Sequence, residues 1–495
     1  GLSNLVITNR CDLHCWYCLP ADEEVLVRDE NGVRLVKVGE LVEKHFEEGT
    51  PAPAGEGEYV TPSGLEVLAY RNSTARWSKV RKLYRRKYSG FIVEITTKTG
   101  RTVRLTEDHM VLVMGENGLQ RKQTRNLSVG EKLLVVRNIP IDIDDEISEI
   151  NLLQAFDKLP QELKQGIYVR GLAYAVDEGV VTLKETAEEK IYKWTYRDSI
   201  PLSAIQYTGT PDISASLGLD ATDQETPTIL TLTPEFMELV GYFIADGHYT
   251  YKDLRITSKD ESILSRLKTL VTALGLNPSI LHLQKYGKAN QLVVGSKLMR
   301  TIFEHVLGIP GGASRKRLPW MALSLPPRIK AALLTGLFNG DGYVVHGKRH
   351  LSLGIATVSK GLARDIALLL ASIGIFCRIY KVPKEKVRGA RHDLYKIYVA
   401  GKDLEKLLAI LQLKPTHLMK LATAGPRKQA HVETHGDYVV DEVKELKRVH
   451  VNGEKVYDLE VEEESHSFLC GDGVLVSNCF FYAEKAGYIY EPTLD

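Results

Sequence analysis

An internal repeat in the second half of the chain limits the possible folds more than any other feature. The segment Leu239–Gly247 reads LVGYFIADG, and Leu334–Gly342 reads LTGLFNGDG, with one aspartate before the last glycine of each copy. Both copies continue through an equivalent strand-to-helix passage. Since two copies of one αββα unit bury their apolar faces best against each other, the repeat predicts a domain built about a pseudo-twofold axis.

Glycines at matching places in the two copies suggest how these helices pack. Gly241 and Gly336 allow two helix backbones to approach closely at the axis. Gly247 and Gly342 suit the left-handed conformation that ends many helices. The sequence therefore predicts two paired helices, each ending beside an acidic residue.

The two acidic residues, Asp246 and Asp341, would then lie together at two helix C-termini, where the helix dipoles also favour cations. Paired carboxylates there can bind Mg²⁺, which activates water and stabilises the leaving oxygen of a phosphodiester. The alternative is that each Asp-Gly pair only ends a buried helix.

This repeat resembles the single-chain LAGLIDADG homing endonucleases. The resemblance implies an active nuclease with Asp246 and Asp341 as catalytic metal ligands, one cut per strand, Mg²⁺ as cofactor and double-stranded DNA at the insertion site as partner. Lys316 resembles the basic residue of intein block D and is a further catalytic candidate; a phosphate contact or a surface lysine is the alternative. Candidate phosphate contacts, for which an exposed charged strand face is the commoner explanation, are Arg81, Lys82, Arg85, Arg86 and Lys87.

The cysteines are concentrated at the ends of the chain. Cys11, Cys15 and Cys18 are close together, and Cys479 lies near the other end. Joining residue 17 directly to Cys479 gives a Cys-x3-Cys-x2-Cys motif, whose soft thiolates suit iron. The joined motif resembles the cluster loop of the radical S-adenosylmethionine family, which implies that Cys11, Cys15 and Cys479 hold a [4Fe–4S] cluster in a spliced host that uses S-adenosylmethionine. Alternatively, Cys18 is itself the third ligand.

The sequence between these ends resembles an intein, a protein-splicing element. The segment that opens at Cys18 and continues to a predicted turn at Asp29–Gly32 resembles the first intein block. A predicted β-hairpin over residues 90–109, with its turn at Thr99 and Gly100, ends in the Thr-x-x-His of block B, Thr106 to His109. The segment that contains Asp458 and His466 resembles block F. Gly473–Asn478, which Cys479 follows, resembles the terminal block.

The resemblance assigns a role to each of these residues. Cys18 would attack the Tyr17 carbonyl to give a thioester, and Thr106 and His109 would polarise or protonate the scissile amide, because nitrogen leaves poorly without a proton. Cys479 would then attack the thioester to give a branched intermediate, and Asp458 and His466 would coordinate this transfer. Asn478 would cyclise and so release the branched intermediate. Splicing would need no cofactor.

The terminal block departs from the family pattern at one position. The residue before the terminal asparagine is usually a histidine that assists cyclisation, and here it is Ser477. General acid–base help of this kind is typically worth about 10²–10⁴-fold in rate. We expect His466 to take over this role; the alternative is slow terminal cleavage that needs heat.

Length and charge agree with a multidomain soluble protein. A chain of 495 residues is too long for one core, and a net charge of +1 means that DNA binding must depend on local basic patches. No apolar run approaches the roughly 18 residues that cross a membrane, and the first residues do not form a signal peptide. We expect a cytoplasmic monomer that does not bind membranes.

The expected fold is multidomain: an all-β, discontinuous Hedgehog/intein splicing domain, an α/β pseudo-twofold LAGLIDADG domain and a small accessory α+β region with a helix over residues 152–164. The predicted boundaries are 1–17 for the N-extein, 18–138 and 424–478 for the splicing domain, 139–225 for the accessory region, 226–423 for the endonuclease and 479–495 for the C-extein.

Two other functions were weighed against splicing combined with DNA cleavage. One is a radical S-adenosylmethionine enzyme with an insertion that is never removed, although flanks this short cannot form its catalytic barrel. The other is a DNA-binding protein without catalysis, against which Cys18, Asn478 and Cys479 argue.

Overall fold

The structure is a computed structural model, and it describes residues 18–477 except for residues 55, 117, 178–180, 185–187, 207–214, 220–224, 285–286, 347–350, 423–431 and 464. The predicted roles of Cys11, Cys15, Asn478 and Cys479 therefore fall on positions outside the described residues.

The first part of the chain is rich in strands. Its elements are β1 (Leu19–Pro20), β2 (Glu24–Asp29), β3 (Gly32–Lys37), α1 (Val38–Glu48), β4 (Ala52–Ala54), β5 (Gly57–Val60), β6 (Glu66–Arg71), β7 (Thr74–Thr97), β8 (Thr102–Thr106), β9 (Met110–Gly115), β10 (Gly118–Gln123) and β11 (Lys132–Val136). The predicted turns are present, because β2 pairs with β3 across Gly32 and β7 pairs with β8 across Gly100. Both glycines have positive φ, which explains why glycine is needed there.

The middle of the chain forms short strands and helices. Its elements are β12 (Glu149–Asn151), α2 (Leu152–Asp157), α3 (Gln161–Lys164), β13 (Ile167–Arg170), α4 (Ala173–Asp177), β14 (Thr182–Leu183), α5 (Glu188–Tyr196), β15 (Ile200–Pro201), β16 (Ile205–Gln206), β17 (Ser216–Leu219), β18 (Glu225–Pro227) and β19 (Ile229–Thr231). The helix expected over residues 152–164 is divided, because Pro160 has no N–H to continue it. Strand pairing runs to Thr231, past residue 225.

The repeated segment follows. Its elements are α6 (Pro234–Asp246), β20 (Gly247–Tyr249), β21 (Leu254–Ser258), α7 (Glu261–Ala273), β22 (Ser279–Leu281), β23 (Asn290–Val294), α8 (Lys297–Thr301), α9 (Pro327–Gly340), β24 (Gly342–His346), β25 (Leu351–Thr357), α10 (Lys360–Ala371), β26 (Arg378–Val382), β27 (Leu394–Ala400), α11 (Gly401–Ile410) and α12 (Pro415–Ala422). Its two sheets have matching orders, β20-β21-β23-β22 and β24-β25-β27-β26. The repeat unit is thus longer than the predicted αββα by a second pair of strands and a helix.

The last part of the chain returns to the first sheet. Its elements are β28 (Thr434–His435), β29 (Tyr438–Val461), β30 (Ser467–Cys470) and β31 (Val474–Ser477). The long strand β29 pairs antiparallel with β7 from Val443 opposite Thr97 to Val461 opposite Val80. It also pairs with β1, with Leu19 opposite Tyr457, so that the first and last parts of the chain share one sheet.

The close helix approach predicted at Gly241 and Gly336 is present between α6 and α9. A Cβ atom on Gly336 would overlap the carbonyl oxygen of Glu238, and one on Gly241 would overlap that of Leu333. The helices therefore meet backbone to backbone, which aligns their C-terminal ends.

The conformation predicted for the glycines after the two aspartates is wrong. Gly247 has φ of −87° and is extended, and Gly342 is not among the residues with positive φ. Both positions exclude a side chain for another reason. A Cβ atom would overlap the carbonyl oxygen of Phe243 in the first copy and that of Phe338 in the second.

The inserted segment and the first sheet pack as one body in the part of the chain that the structure describes. Val33 donates its N–H to Ser324 Oγ at 2.8 Å, and Ile379 donates its N–H to the Thr99 carbonyl at 2.8 Å. One apolar cluster also continues from the first sheet, through residues such as Leu68, into the inserted segment.

Among the described residues, no helix has the length and apolar character needed to cross a membrane.

We predict that Gly336→Ala lowers the free energy of unfolding by about 1–3 kcal/mol, because the methyl group forces two closely packed helix backbones apart. Urea-induced unfolding followed by circular dichroism measures this. The control is Gly295→Ala, where a Cβ atom would meet only Asp253 Oδ1, at 3.8 Å. Equal effects of the two substitutions would contradict the packing argument.

Candidate functional site

Cys18 directly precedes β1, with only 4% of its surface exposed. Its backbone N–H donates to Thr106 Oγ1 at 3.0 Å, and the Thr106 N–H donates to the Cys18 carbonyl at 3.0 Å. Thr106 is the last residue of β8 and is fully buried. A threonine hydroxyl therefore contacts the nitrogen of the peptide bond that precedes Cys18.

His109 lies one turn after Thr106 and is fully buried. Its backbone N–H donates to the Thr106 carbonyl at 3.0 Å, and its own carbonyl accepts from the N–H and the hydroxyl of Thr124, at 2.7 Å and 2.6 Å. Burial lowers the pKa of His109 to about 3. The imidazole is therefore neutral near pH 7 and can accept a proton, and once protonated it is a strong acid.

Asp458 is held on β29 with 2% of its surface exposed. Because Leu19 pairs with Tyr457, the same register places Asp458 across from Cys18. On its other side, Asp458 pairs with Tyr84 of β7. Its charge also acts on Cys470, the thiol of which has a pKa raised chiefly by burial. The register thus brings a buried acidic residue opposite the candidate nucleophile, and the role of Asp458 in the transfer step stays a prediction.

His466 and Ser477 lie together at the open end of the β30–β31 hairpin. Ser467 pairs with Ser477, and the Ser477 hydroxyl donates to the His466 carbonyl at 3.0 Å. His466 has a φ of 42°, in the left-handed region that a non-glycine residue adopts at a cost of about 1–3 kcal/mol. The loop before it is fixed by Arg121, which donates to the Ser465 carbonyl at 2.9 Å. No local sequence pattern predicts the hydrogen bond from Ser477 to the His466 carbonyl, which places His466 beside the residue that precedes Asn478.

The two aspartates of the repeat lie at matching helix ends. Asp246 is the last residue of α6 and is exposed, and Asp341 directly follows α9 and is half-buried. Desolvation raises the pKa of both, and the negative charge of Asp246 helps to raise that of Asp341 to about 7. This effect of Asp246 on Asp341 indicates that the two carboxylates are close enough to interact.

Two lysines flank this acidic pair. The Lys316 ammonium donates to the Ala245 carbonyl at 2.8 Å, and the Lys414 ammonium donates to the Asn339 carbonyl at 2.7 Å. Burial lowers the pKa of each lysine, while the charges of Asp246 and Asp341 act in the opposite direction. The predicted residue Lys316 therefore has a counterpart in the second copy of the repeat.

Lys414 was missed by the sequence reasoning. The separation of Lys316 and Lys414 is close to that of Asp246 and Asp341, and each lysine is followed closely by a proline, Pro319 or Pro415. Extending the comparison of the two copies past α9 would have found it.

The acidic pair suits a divalent cation that keeps other ligands. Among the described residues there is no group of three or more His, Cys, Asp and Glu side chains that could hold a metal ion. Mg²⁺ commonly takes one or two carboxylates and fills its remaining positions with water and phosphate oxygens. Asp246 and Asp341 fit that donor set.

The basic run on β7 is largely neutralised by carboxylates. Arg85 forms ion pairs with Glu43 and with Glu58, the latter at 3.0 Å. Arg81 and Lys82 each lie 3.5 Å from a glutamate of β29 or the residues after it. These ion pairs favour a charged strand face as the explanation for Arg81, Lys82 and Arg85, and phosphate contacts from the run stay a prediction.

A comparison with protein families gives one match that spans most of the chain. Residues 26–478 match the family described as the intein splicing domain. The chain belongs to this family. The match includes the buried residues Thr106, His109 and Asp458 and the half-buried His466 of this intein.

Curated relatives resemble this intein over nearly its whole sequence. An uncharacterized protein of Methanocaldococcus jannaschii is 22% identical, over 94% of this chain and 51% of the relative. A DNA polymerase of Thermococcus hydrothermalis is 24% identical, over 93% of this chain and 32% of the polymerase. The chain thus spans about half the length of the first relative and less of the second.

Similarity to solved structures is limited. A solution structure of the KlbA intein precursor from Methanococcus jannaschii is 21% identical with a TM-score of 0.22, over 26% of this chain and 70% of that chain. Variants of the homing endonuclease I-DmoI are 20% identical with a TM-score of 0.28, over 37% of this chain and 98% of that chain. At these TM-scores the likenesses carry no structural argument.

We predict that Thr106→Val slows thiol-induced cleavage of the Tyr17–Cys18 bond by about 10²-fold, because the variant keeps the side-chain shape but loses the oxygen that contacts the scissile nitrogen. Mass spectrometry of the cleaved fragments measures the rate. Thr74→Val is the matched control, since the Thr74 hydroxyl donates only to the Arg71 carbonyl. Cleavage of the Thr106 variant at the parent rate would remove Thr106 from the mechanism.

Proposed function

We propose that the chain removes its own segment Cys18–Asn478 and joins Tyr17 to Cys479 by a peptide bond. The observation that carries the proposal is the contact between the Cys18 N–H and Thr106 Oγ1 at 3.0 Å, with His109 buried three residues after Thr106. Thr106 thus contacts the one peptide nitrogen that has to leave in the first step.

In the first step the Cys18 thiol attacks the Tyr17 carbonyl carbon. The bond from that carbon to the Cys18 nitrogen breaks, a thioester forms, and the nitrogen becomes an amine by gaining a proton. Neutral His109 is suited to take the thiol proton and return it to this nitrogen, since its low pKa makes the imidazolium a strong acid. Thr106 orients the nitrogen during the transfer.

In the later steps no external reactant is needed. The Cys479 thiol attacks the thioester and the Cys18 thiol leaves, with Asp458 as the carboxylate beside the exchange. The side-chain amide nitrogen of Asn478 then attacks the main-chain carbonyl carbon of the same residue, and the bond to the Cys479 nitrogen breaks to release the Cys479 amine. That amine takes the acyl group from its own sulfur and forms the final peptide bond.

The closing step has to proceed without a histidine directly before Asn478. Ser477 fills that position and donates its hydroxyl to the His466 carbonyl. We infer that this hydrogen bond holds His466 near the cyclising asparagine, so that its imidazole supplies the proton transfer for which the family usually relies on the preceding residue.

We further propose that the inserted segment, residues 226–423, cleaves double-stranded DNA at the intein insertion site. The pseudo-twofold pairing of α6 and α9, with Asp246 and Asp341 at their ends, supports this. A bound Mg²⁺ would activate water and stabilise the leaving oxygen. Asp246 and Asp341 would hold it, while Lys316 and Lys414 would neutralise the charge that develops on the phosphate, one lysine for each strand.

The assignment of the host stays a prediction, because residues 1–17 and 479–495 lie outside the described residues. We propose a radical S-adenosylmethionine enzyme, in which splicing restores the third cluster ligand, Cys479, beside Cys11 and Cys15. The cofactors of the spliced host would be a [4Fe–4S] cluster and S-adenosylmethionine. A cytoplasmic, monomeric precursor remains part of this proposal.

Splicing is tested by intact mass after warming the purified chain with a reductant. We expect the excised segment and the joined flanking peptide, and we expect Cys18→Ala to abolish both products. His466→Ala should slow Asn478 cyclisation by about 10²-fold without slowing thioester formation. Cys377→Ala, another buried cysteine, is the control that should still splice. Only full-length mass in the parent chain under all conditions would refute the proposal and leave an insertion that is never removed.

DNA cleavage is tested with a duplex that encodes Tyr17 directly followed by Cys479. We expect Mg²⁺-dependent cutting of both strands, and severe loss of cutting in Asp246→Asn and Asp341→Asn. The raised pKa of Asp341, about 7, means that its proton must leave before a cation binds. Cleavage should therefore rise roughly tenfold per pH unit below about 7 and level off above it.

Asp393→Asn is the control for this prediction, because Asp393 pairs with Lys381 away from the acidic pair. Binding of the duplex without cutting, with or without Mg²⁺, would favour the alternative of a DNA-binding domain without catalysis. A pH profile that is flat between 6 and 8 would contradict the role given to Asp341.

A further inference from the structure

A buried charged cluster connects the inserted segment to the splicing domain. It is defined by Arg364 of α10 and by Glu24 and Asp472 of the splicing domain. Arg364 Nη1 lies 2.7 Å from Glu24, and its Nε forms an ion pair with Asp472. The three side chains are only 9%, 8% and 5% exposed, so water contributes little to their solvation.

The cluster contacts the chain close to both splice junctions. Glu24 begins β2, directly after the turn in which the Glu23 N–H donates to the Pro20 carbonyl at 2.9 Å. Asp472 lies in the turn between β30 and β31, the hairpin that ends one residue before Asn478. A single guanidinium from the inserted segment therefore holds the chain that leaves Cys18 and the chain that approaches Asn478.

Asp472 also fixes the strand that carries Thr106. Its Oδ2 accepts from the N–H and from the hydroxyl of Thr102, each at 2.7 Å. Thr102 is the first residue of β8 and Thr106 is the last. A displacement of Asp472 would thus be transmitted along one short strand to the hydroxyl that contacts the Cys18 nitrogen.

The charges in the cluster depend on Arg364. Burial alone would raise the pKa of Asp472, and the positive charge of Arg364 reverses this and lowers the pKa. Without the guanidinium, Glu24 would keep a cationic partner, since Arg317 Nη1 lies 2.7 Å from it. Asp472 would keep its neutral Thr102 contacts and the charge of Lys360, which also lowers its pKa. Removal of Arg364 is therefore expected to disturb the two junctions to different extents.

We propose that Arg364, a residue of the inserted segment, is a positioning residue for splicing that sets the geometry at both splice junctions. The proposal rests on the proposed splicing function and goes beyond it, because it makes the reaction depend on a side chain outside the splicing domain. Arg364 touches none of the reacting atoms and acts through Glu24 and Asp472.

The test measures the two junction reactions separately in the full chain. Thiol-induced cleavage at Tyr17–Cys18 is followed with Asn478→Ala and Cys479→Ala present, and Asn478 cyclisation is followed with Cys18→Ala present. Arg364→Met is compared with the parent at temperatures below the unfolding transition of each. We expect both rates to fall at least tenfold, with the larger loss on the side of Asp472.

Arg364→Lys distinguishes positioning from mere folding. Arg364 reaches Glu24 with Nη1 and Asp472 with Nε, and a lysine has a single nitrogen in place of this planar fork. We therefore expect Arg364→Lys to restore one of the two junction rates much more than the other. Asp403→Asn is the matched control, because it breaks another ion pair between the two domains, Arg137–Asp403 at 2.8 Å, and should leave both rates within twofold of the parent.

Several outcomes would overturn the proposal. These are parent rates at both junctions in Arg364→Met, equal recovery of both in Arg364→Lys, or an equal loss in Asp403→Asn. If Arg364→Met does not fold, Glu24→Gln serves instead, and cleavage at Cys18 at the parent rate would refute the proposal. Failure of the parent chain to splice would refute the proposed function as well, whereas a splicing parent with an unaffected Arg364→Met would refute this inference alone.

Discussion

The pairing of β7 with β29 is the interaction on which the rest of the structure depends. These strands come from opposite sides of a long insertion, and they remain paired from Val80 opposite Val461 to Thr97 opposite Val443. The register of β29 against β7 and β1 determines where Asp458 lies relative to Cys18. Because a shift of one residue would turn every side chain to the other face of the sheet, the buried apolar residues along both strands fix the register and, with it, the candidate site.

Burial at the splice site has a chemical consequence as well as a structural one. His109 and Thr106 are fully buried, and burial keeps the imidazole neutral at the pH of the cell. In such surroundings hydrogen bonds and charges act more strongly than in water. Burial also raises the free energy of any ionised group at the site. The site therefore favours proton transfers between its own groups over groups that stay charged. Asp458, which is buried on β29 across from Cys18, is the acidic residue placed to act on the thiol.

Local signals in the sequence were enough to predict some of these features. The hairpins around Gly32 and Gly100 could be predicted because glycine in a tight turn is a local requirement, and the paired helices could be predicted because Gly241 and Gly336 recur in the repeat. The conformation at Gly247 could not be predicted. A positive φ and a lack of room for a Cβ atom both require glycine, so the residue type alone does not show which of the two applies.

Non-local contacts account for the rest of what was missed. The charged face of β7 is matched by glutamates distant in sequence, such as Glu43 and Glu460, which no local pattern reveals. The hydrogen bond from Ser477 to the His466 carbonyl depends on the pairing of β30 with β31. Lys414 is different: the repeat contained its signal, and the comparison of the two copies ended too early.

The entry and exit of the inserted segment explain how a sheet can carry so long an interruption. The N–H groups of Arg137 and Asn138 donate to the Asp437 carbonyl at 2.8 Å and 3.1 Å, so the chain leaves β11 and returns to β29 at one place. Such close ends are typical of an insertion that folds as its own domain and leaves its host undisturbed. The Arg364 cluster departs from that arrangement, because it places a charge of the insertion among buried carboxylates of the splicing domain. Since a buried carboxylate without its partner is strongly destabilising, the two domains can no longer vary independently at this contact, and loss of the insertion would require compensating changes at Glu24 and Asp472.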